Sequence, residues 1–176
     1  MFRKILYGEI ISFIFVLIAG TLLHFAYQWS MENILVATFS PVNESTWEHL
    51  KMLFMPMFLF STLEYLFVGR KYHNFYMAKA IGTIIGIYLI TSLYYTYIGI
   101  LGYHILFIDI IIFILSVLLS HMITYYVIKN FNLYGSFSKW FSFITFLLLF
   151  VLFVTFTFFT PLINFFLDPK TATYGI

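Results

Sequence analysis

Apolar residues fall along this chain in five long blocks, not at helical or strand spacing. The blocks cover about residues 5–27, 47–68, 77–97, 104–127 and 140–164, with short polar stretches between them. Each is long enough to cross about 30 Å of hydrocarbon at roughly 1.5 Å per helical residue. Runs this long with so few charges are read as spanning segments, so each block is predicted to be a transmembrane helix. The expected fold class is therefore all-α: a polytopic bundle of five spans forming a single integral membrane domain over residues 1–176. A sixth span would require splitting the last block near Pro161, and the remainder is too short to cross.

Composition strengthens this reading. Charged residues make up 9% of the chain, against about 25% in soluble domains, and mean hydropathy is +0.98. So few charges cannot cover the surface of a water-soluble fold, so the lipid bilayer is the expected partner of most of the exterior. Cysteine is absent, which excludes disulfides, thiolate nucleophiles and thiolate metal sites. A net charge of +2 with no basic tail gives no ground for a nucleic-acid partner. The apolar run after Arg3 and Lys4 is too long for a signal-peptide core and lacks a small-x-small site, so it is expected to be retained as the first span.

Five spans put the loops on alternating sides. One side receives seven basic residues, Arg3, Lys4, Arg70, Lys71, Lys79, Lys129 and Lys139; the other receives two, Lys51 and Lys170. The positive-inside rule then predicts a cytoplasmic N-terminus and an outside C-terminus.

The polar residues inside the blocks are few. Pro56 should kink the second span and free a carbonyl to line a cavity. Ala78, Gly82 and Gly86 form a small-residue ridge suited to close helix packing within the monomer. Asp109, Ser116, Ser120 and Thr124 fall within about 80° on the fourth span, and Glu9, Gly20, His24 and Tyr27 within about 60° on the first, and both stripes should face the bundle. Glu9 and Glu64 are expected to pair with Arg3, Lys4, Arg70 and Lys71 across helix ends; a proton or cation path from Asp109 to Glu64 is the bolder reading. His73, His104 and His121 are expected to be structural.

The densest polar stretch spans residues 40–51 and opens the second span without a linker. Ser45 and Glu48 have capping-box spacing, and Glu44 and Glu48 suit the positive end of a helix dipole, so a well-capped helix start explains these acids without further chemistry. The stretch shares its side of the membrane with the ends of spans one, three and four, and His24, Tyr94, Tyr95 and Asp109 are expected to meet it there. His24, His49, Glu48 and Asp109 are the expected ligands for a divalent metal such as zinc. Glu44 and Glu48 are the expected catalytic carboxylates, with Glu44 as general base on a metal-bound water. Asn43, Trp47, Lys51, Tyr94 and Tyr95 are the expected binding residues. Adjacent Glu48 and His49 diverge by about 100° on a helix, which counts against both serving one ion. Asn43-Glu44-Ser45 also spells a glycosylation acceptor, here read as accidental.

The segment Pro41-Val42-Asn43-Glu44-Ser45-Thr46-Trp47-Glu48-His49-Leu50-Lys51, with His24-Phe25 upstream, resembles the signature of an uncharacterised family of small bacterial multi-pass membrane proteins. The resemblance covers most of the chain. It implies a bacterial membrane protein, singles out Asn43, Glu44, Glu48, His49 and Lys51, and carries no activity. Three functional readings follow from the residues. The first is a membrane-embedded hydrolase or transferase acting on a lipid-type substrate through a metal site. The second is a small-molecule binding or transport module with an outward pocket; chain length and site position are similar to the substrate-binding components of bacterial energy-coupling vitamin transporters, which as a rule have six helices. The third is a structural clasp with no catalytic site, in which Glu44 and Glu48 cap the second span, His49 pairs with Asp109 or Glu44, and Lys51 snorkels to the surface.

Overall fold

A computed structural model describes residues 2–133 and 135–176; Met1 and, in the polar loop at 129–139, Tyr134 lie outside the described residues. Among the described residues the chain is all-helical. The helices are α1 (Arg3–Trp29), the single turn α2 (Ile34–Ala37), α3 (Thr46–Phe67), α4 (Phe75–Leu101), α5 (Leu106–Asn130) and α6 (Ser136–Phe158), with a 3₁₀ turn at Gly69–Lys71 between α3 and α4. Five of the six, all except α2, are long and apolar enough to cross a membrane.

The helix ends differ from the apolar blocks for local reasons. α4 runs through Gly99 and stops at Gly102, whose φ of +81° is the left-handed conformation that closes a helix. Residues 99–101, between the third and fourth apolar blocks, are thus helical. α6 stops at Phe158 instead of 164, because Pro161 disfavours helical backbone before it and supplies no N–H of its own. The last 18 residues, 159–176, leave the helix and fold back, with Leu167 and Tyr174 pairing as an isolated antiparallel bridge.

α3 is the inner helix. It packs against α1, α4 and α6, while α4 packs most extensively on α5 and α1 also contacts α5. Leu50, Leu53, Phe54 and Met57 of α3 are buried beside Val16 of α1, Val117 of α5 and Phe146 and Phe153 of α6. Lipid tails are as apolar as these side chains, so burial alone does not bring helices together in a membrane; close backbone approach and interhelical hydrogen bonds do. Both occur where α4 meets α5. Ser120 donates to the Gly82 carbonyl at 2.7 Å, and Thr124 donates to its own-helix carbonyl at Ser120 (2.9 Å). A Cβ on Gly82 would lie 2.2 Å from Thr124 Oγ1 and 2.7 Å from the Ser120 carbonyl. The small-residue ridge and the polar stripe of α5 are therefore two halves of one contact inside the monomer.

Pro56 lies within a continuous α3. Lacking an N–H, it leaves the Met52 carbonyl without its helical donor. That carbonyl is covered by α1. Gly20 of α1 packs onto it so closely that a Cβ there would lie 2.4 Å away.

Two lysines depart from expectation. Lys79 and Lys51 have no exposed side-chain surface. Lys79 is not a loop charge: its Nζ sits 2.9 Å from Glu9 Oε1 and 2.6 Å from Glu64 Oε2. Glu9 and Glu64 therefore pair with a base from α4, and Arg3, Lys4, Arg70 and Lys71 remain exposed. Apolar runs do not reveal which helix face a lysine one turn inside will take, and here the two acids decide it. Arg3, Lys4, Arg70, Lys71, Lys129 and Lys139 ring one end of the bundle, and Lys170 lies at the other.

The α4–α5 contact predicts that Gly82→Val costs about 1–3 kcal/mol through overpacking. Gly99→Ala, where an added Cβ meets nothing within 4 Å, should be neutral or slightly stabilising on helix propensity. Thermal denaturation of both variants in detergent checks the contrast.

Candidate functional site

The stretch before α3 is organised by its own side chains. Asn43 Oδ1 accepts from the Ser45 N–H at 2.9 Å, and Ser45 Oγ accepts from the Glu48 N–H at 3.3 Å as the N-cap of α3. Only half of the expected capping box forms, because Glu48 Oε2 reaches past Ser45 and accepts from the Val42 N–H at 3.1 Å. The C-terminal segment closes over this turn: Asn43 Nδ2 donates to the Gly175 carbonyl at 2.9 Å, and the Trp47 N–H donates to the Phe165 carbonyl at 3.2 Å.

Three side chains from three segments meet beside this turn. His24 of α1, Glu44 of the loop and His49 of α3 bring one ligand atom each to within 4.8 Å of one another. His49 Nε2 lies 3.4 Å from Glu44 Oε2, and His24 Nε2 lies 3.9 Å from Glu44 Oε1. The two imidazoles are 5.1 Å apart, centroid to centroid. All three side chains are a quarter to a third exposed. His49 is held in one orientation, because its Nδ1–H donates to the Ser45 carbonyl at 2.9 Å. A neutral His49 would then turn a bare Nε2 lone pair toward a carboxylate. Two acceptors at that distance need a cation between them, either a proton on Nε2 or a metal ion. His24 has no such anchor, since its Nδ1 is buried without a hydrogen-bond partner.

Lys170 completes the charge balance, with its Nζ donating to Glu44 Oε1 at 2.7 Å. The hydrogen bond with His49 and then the Lys170 ammonium pull the Glu44 carboxyl down to about 2, against the opposing effect of partial burial. Glu44 in turn raises the Lys170 ammonium above its ordinary value. On its other side Glu44 borders a cleft of about 210 Å³ that is also lined by Thr46, Tyr94, Tyr95 and Leu167. Thr46 Oγ1 and the Tyr95 hydroxyl lie 3.3 Å apart across it.

The other residues expected at this site are engaged elsewhere. Glu48 is buried and bound to Lys51 Nζ at 2.7 Å and, through Oε1, accepts from Thr157 of α6 at 2.8 Å. Its divergence from His49 on the helix turns it toward α6, away from His24. Lys51 does not snorkel. Its ammonium is enclosed by Glu48, Thr157 Oγ1 (2.6 Å) and the carbonyls of Ala37 (3.0 Å) and Ser40 (3.2 Å). Trp47 lies under an aromatic cluster of Phe153, Phe156, Phe165 and Phe166. Asp109 accepts from the Tyr97 hydroxyl and faces His104 Nδ1 at 3.4 Å, which staples the α4–α5 turn. Of the four expected metal ligands, His24 and His49 come together, while Glu48 and Asp109 do not join them; the carboxylate beside the imidazoles belongs to Glu44.

Lys170 and Thr157 were not singled out in the sequence. Thr157 is one hydroxyl among several in an apolar run. Lys170 lies 126 residues from Glu44, and the polar Asp168-Pro169-Lys170 stretch after the last apolar block is the one signal that the tail returns to a polar partner.

The enclosed ammonium gives a sharp expectation. Lys51→Met leaves a buried carboxylate unpaired and should cost about 3–5 kcal/mol, whereas Lys51→Met combined with Glu48→Gln should recover much of that loss. Thermal denaturation in detergent micelles distinguishes the two variants.

No curated protein and no solved structure matches the chain. A family model described as a family of unknown function (DUF6512) matches residues 3–176. Nearly the whole helical bundle, the His24–Glu44–His49 cluster included, lies within that match, and the chain belongs to this family of unknown function.

Proposed function

We propose that His24, Glu44 and His49 hold a divalent metal ion, with zinc the best fit, and that the protein is a membrane-embedded hydrolase or transferase acting on the polar group of a lipid-type substrate. The observation that carries this reading is the convergence of two imidazoles and a carboxylate from three separate segments, with His49 Nε2 and Glu44 Oε2 at 3.4 Å. Tetrahedral zinc with bonds of about 2.0–2.1 Å has ligand atoms roughly 3.3–3.4 Å apart, so small rotations of His24 complete the set. Three protein ligands leave a fourth position open, as in catalytic zinc sites, and the partial exposure of all three side chains agrees with an open site. A metal there would lower the proton affinity of a bound water and polarise a carbonyl or phosphoryl oxygen. Glu44 then acts as a ligand, not as the general base. Tyr94 and Tyr95 in the neighbouring cleft offer hydroxyl groups and ring faces to orient a substrate.

In this reading the end of the bundle ringed by Arg3, Lys4, Arg70, Lys71, Lys129 and Lys139 faces the cytoplasm, and the metal site faces outward from a bacterial inner membrane. Removing the buried Lys51 and Lys79 from the charge count leaves six exposed bases against one, Lys170, so the positive-inside argument keeps its sign. The bacterial assignment rests on the resemblance carried by residues 41–51.

A second reading, a small-molecule binding module, is favoured by the cleft beside Glu44. Metal analysis of purified protein, with a thermal-shift screen of small metabolites, separates the readings. The metal-site reading expects stoichiometric zinc that is lost in the His24→Ala, His49→Ala double variant and kept in Asp109→Asn. Folded, metal-free protein that takes up no zinc would contradict it. Stabilisation by a metabolite in such a protein would support the binding module, and stabilisation by none would leave the cluster as a clasp.

A further inference from the structure

At the opposite end of the bundle the chain buries an unbalanced set of charges. Glu9 of α1, Glu64 of α3 and Lys79 of α4 have side chains exposed by 3%, 1% and 0%. Lys79 Nζ contacts three carboxylate oxygens, Glu9 Oε1 and Oε2 at 2.9 Å each and Glu64 Oε2 at 2.6 Å. Glu64 Oε1 has no hydrogen-bond partner and presses on Gly8, where a Cβ would lie 2.5 Å from it. Counting from the helix ends at Arg3, Phe67 and Phe75, the three groups sit about 5–9 Å inside at roughly 1.5 Å per residue.

Two ionised carboxylates on one ammonium would leave a net negative charge in a dry interior, where an uncompensated charge is costly. Among the described residues, no further cation is at hand on the elements packed around it. Arg3, Lys4, Arg70 and Lys71 are exposed at the rim. His121 of α5 is turned toward this region, and its contacts serve an uncharged ring: its Nδ1–H donates to the Val117 carbonyl at 2.9 Å, and its Nε2 lies 2.9 Å from Ser12 Oγ, a hydroxyl able to donate to it. Gly8 closes on Glu64 Oε1, where an added Cβ would lie 2.5 Å away, and among the described residues Glu9 and Glu64 do not belong to a group of three or more His, Cys, Asp or Glu ligands.

We infer that Glu9, Glu64 and Lys79 form a proton-binding site, in which one exchangeable proton resides on the carboxyl pair and makes the triad neutral. Binding forms one carboxyl O–H bond and breaks none within the protein. The unpartnered Glu64 Oε1 is the available acceptor. Release of the proton restores the buried negative charge, so it requires water to enter where α1 closes on α3 at Gly8, at the end of the bundle away from the His24 cluster. The site is independent of the proposed metal chemistry.

Infrared spectroscopy of the full chain in detergent, titrated with pH in H₂O and D₂O, tests this. The wild type should show the C=O stretch of a protonated, buried carboxylic acid at neutral pH, shifted in D₂O and lost on alkaline titration. Glu9→Gln and Glu64→Gln should each fold with undiminished thermal stability, because the amide mimics the neutral acid and the remaining carboxylate balances Lys79. Each should also lack that band. Absence of the band in the wild type would overturn the inference, as would its persistence in both single variants. A loss of stability in both variants would overturn it too, since it would mean that both carboxylates are needed ionised.

Discussion

The Lys51 ammonium is the interaction on which the candidate site depends. It gathers the Glu48 carboxylate from α3, the Thr157 hydroxyl from α6, the Ala37 carbonyl at the end of α2 and the Ser40 carbonyl of the loop that follows. Those contacts fix where α3 begins and how the loop enters it. Glu44 lies on that loop and His49 on the first turn and a half of the helix, so both inherit their positions from the buried pair beneath them. The charged residues closest to the site in sequence thus do structural work, and the partly exposed ones are left to meet His24.

The same constraint governs the rest of the bundle. Where lipid surrounds the helices, a polar group inside must find its partner on a neighbouring helix. Lys79 finds Glu9 and Glu64, His121 finds Ser12, and Ser120 finds the Gly82 carbonyl. Each pairing ties a different set of helices, and glycines at 8, 20, 82 and 86 let the backbones come near enough for them to form. Packing of small residues and pairing of polar ones are two aspects of one arrangement.

Much of this was legible in the sequence because span length needs no tertiary information. Five apolar blocks of the right length correspond to five long helices, and the glycine ridge and the serine–threonine stripe were each expected to face other helices, although their meeting was not read from the sequence. The site was legible in part. His24 and His49 were expected together, and the angular divergence of Glu48 from His49 already argued that one helix could not supply both to the same ion. Which carboxylate replaces Glu48 depends on a loop conformation set by Asn43, Ser45 and Lys51 together, and no local pattern encodes it. Asp109 shares a side of the membrane with His24 by topology, yet its nearest partners are Tyr97 and His104 across a short turn. The return of the tail to Glu44 through Lys170 is a long-range contact, and the burial of Lys79 depends on two acids 70 and 15 residues away.

The most direct measurement of the central claim is X-ray absorption at the zinc edge on purified protein. The account predicts a first shell of two imidazole nitrogens and one carboxylate oxygen at about 2.0–2.1 Å, plus one exchangeable water oxygen. A shell of oxygen alone, without the multiple-scattering signature of imidazole, would contradict it.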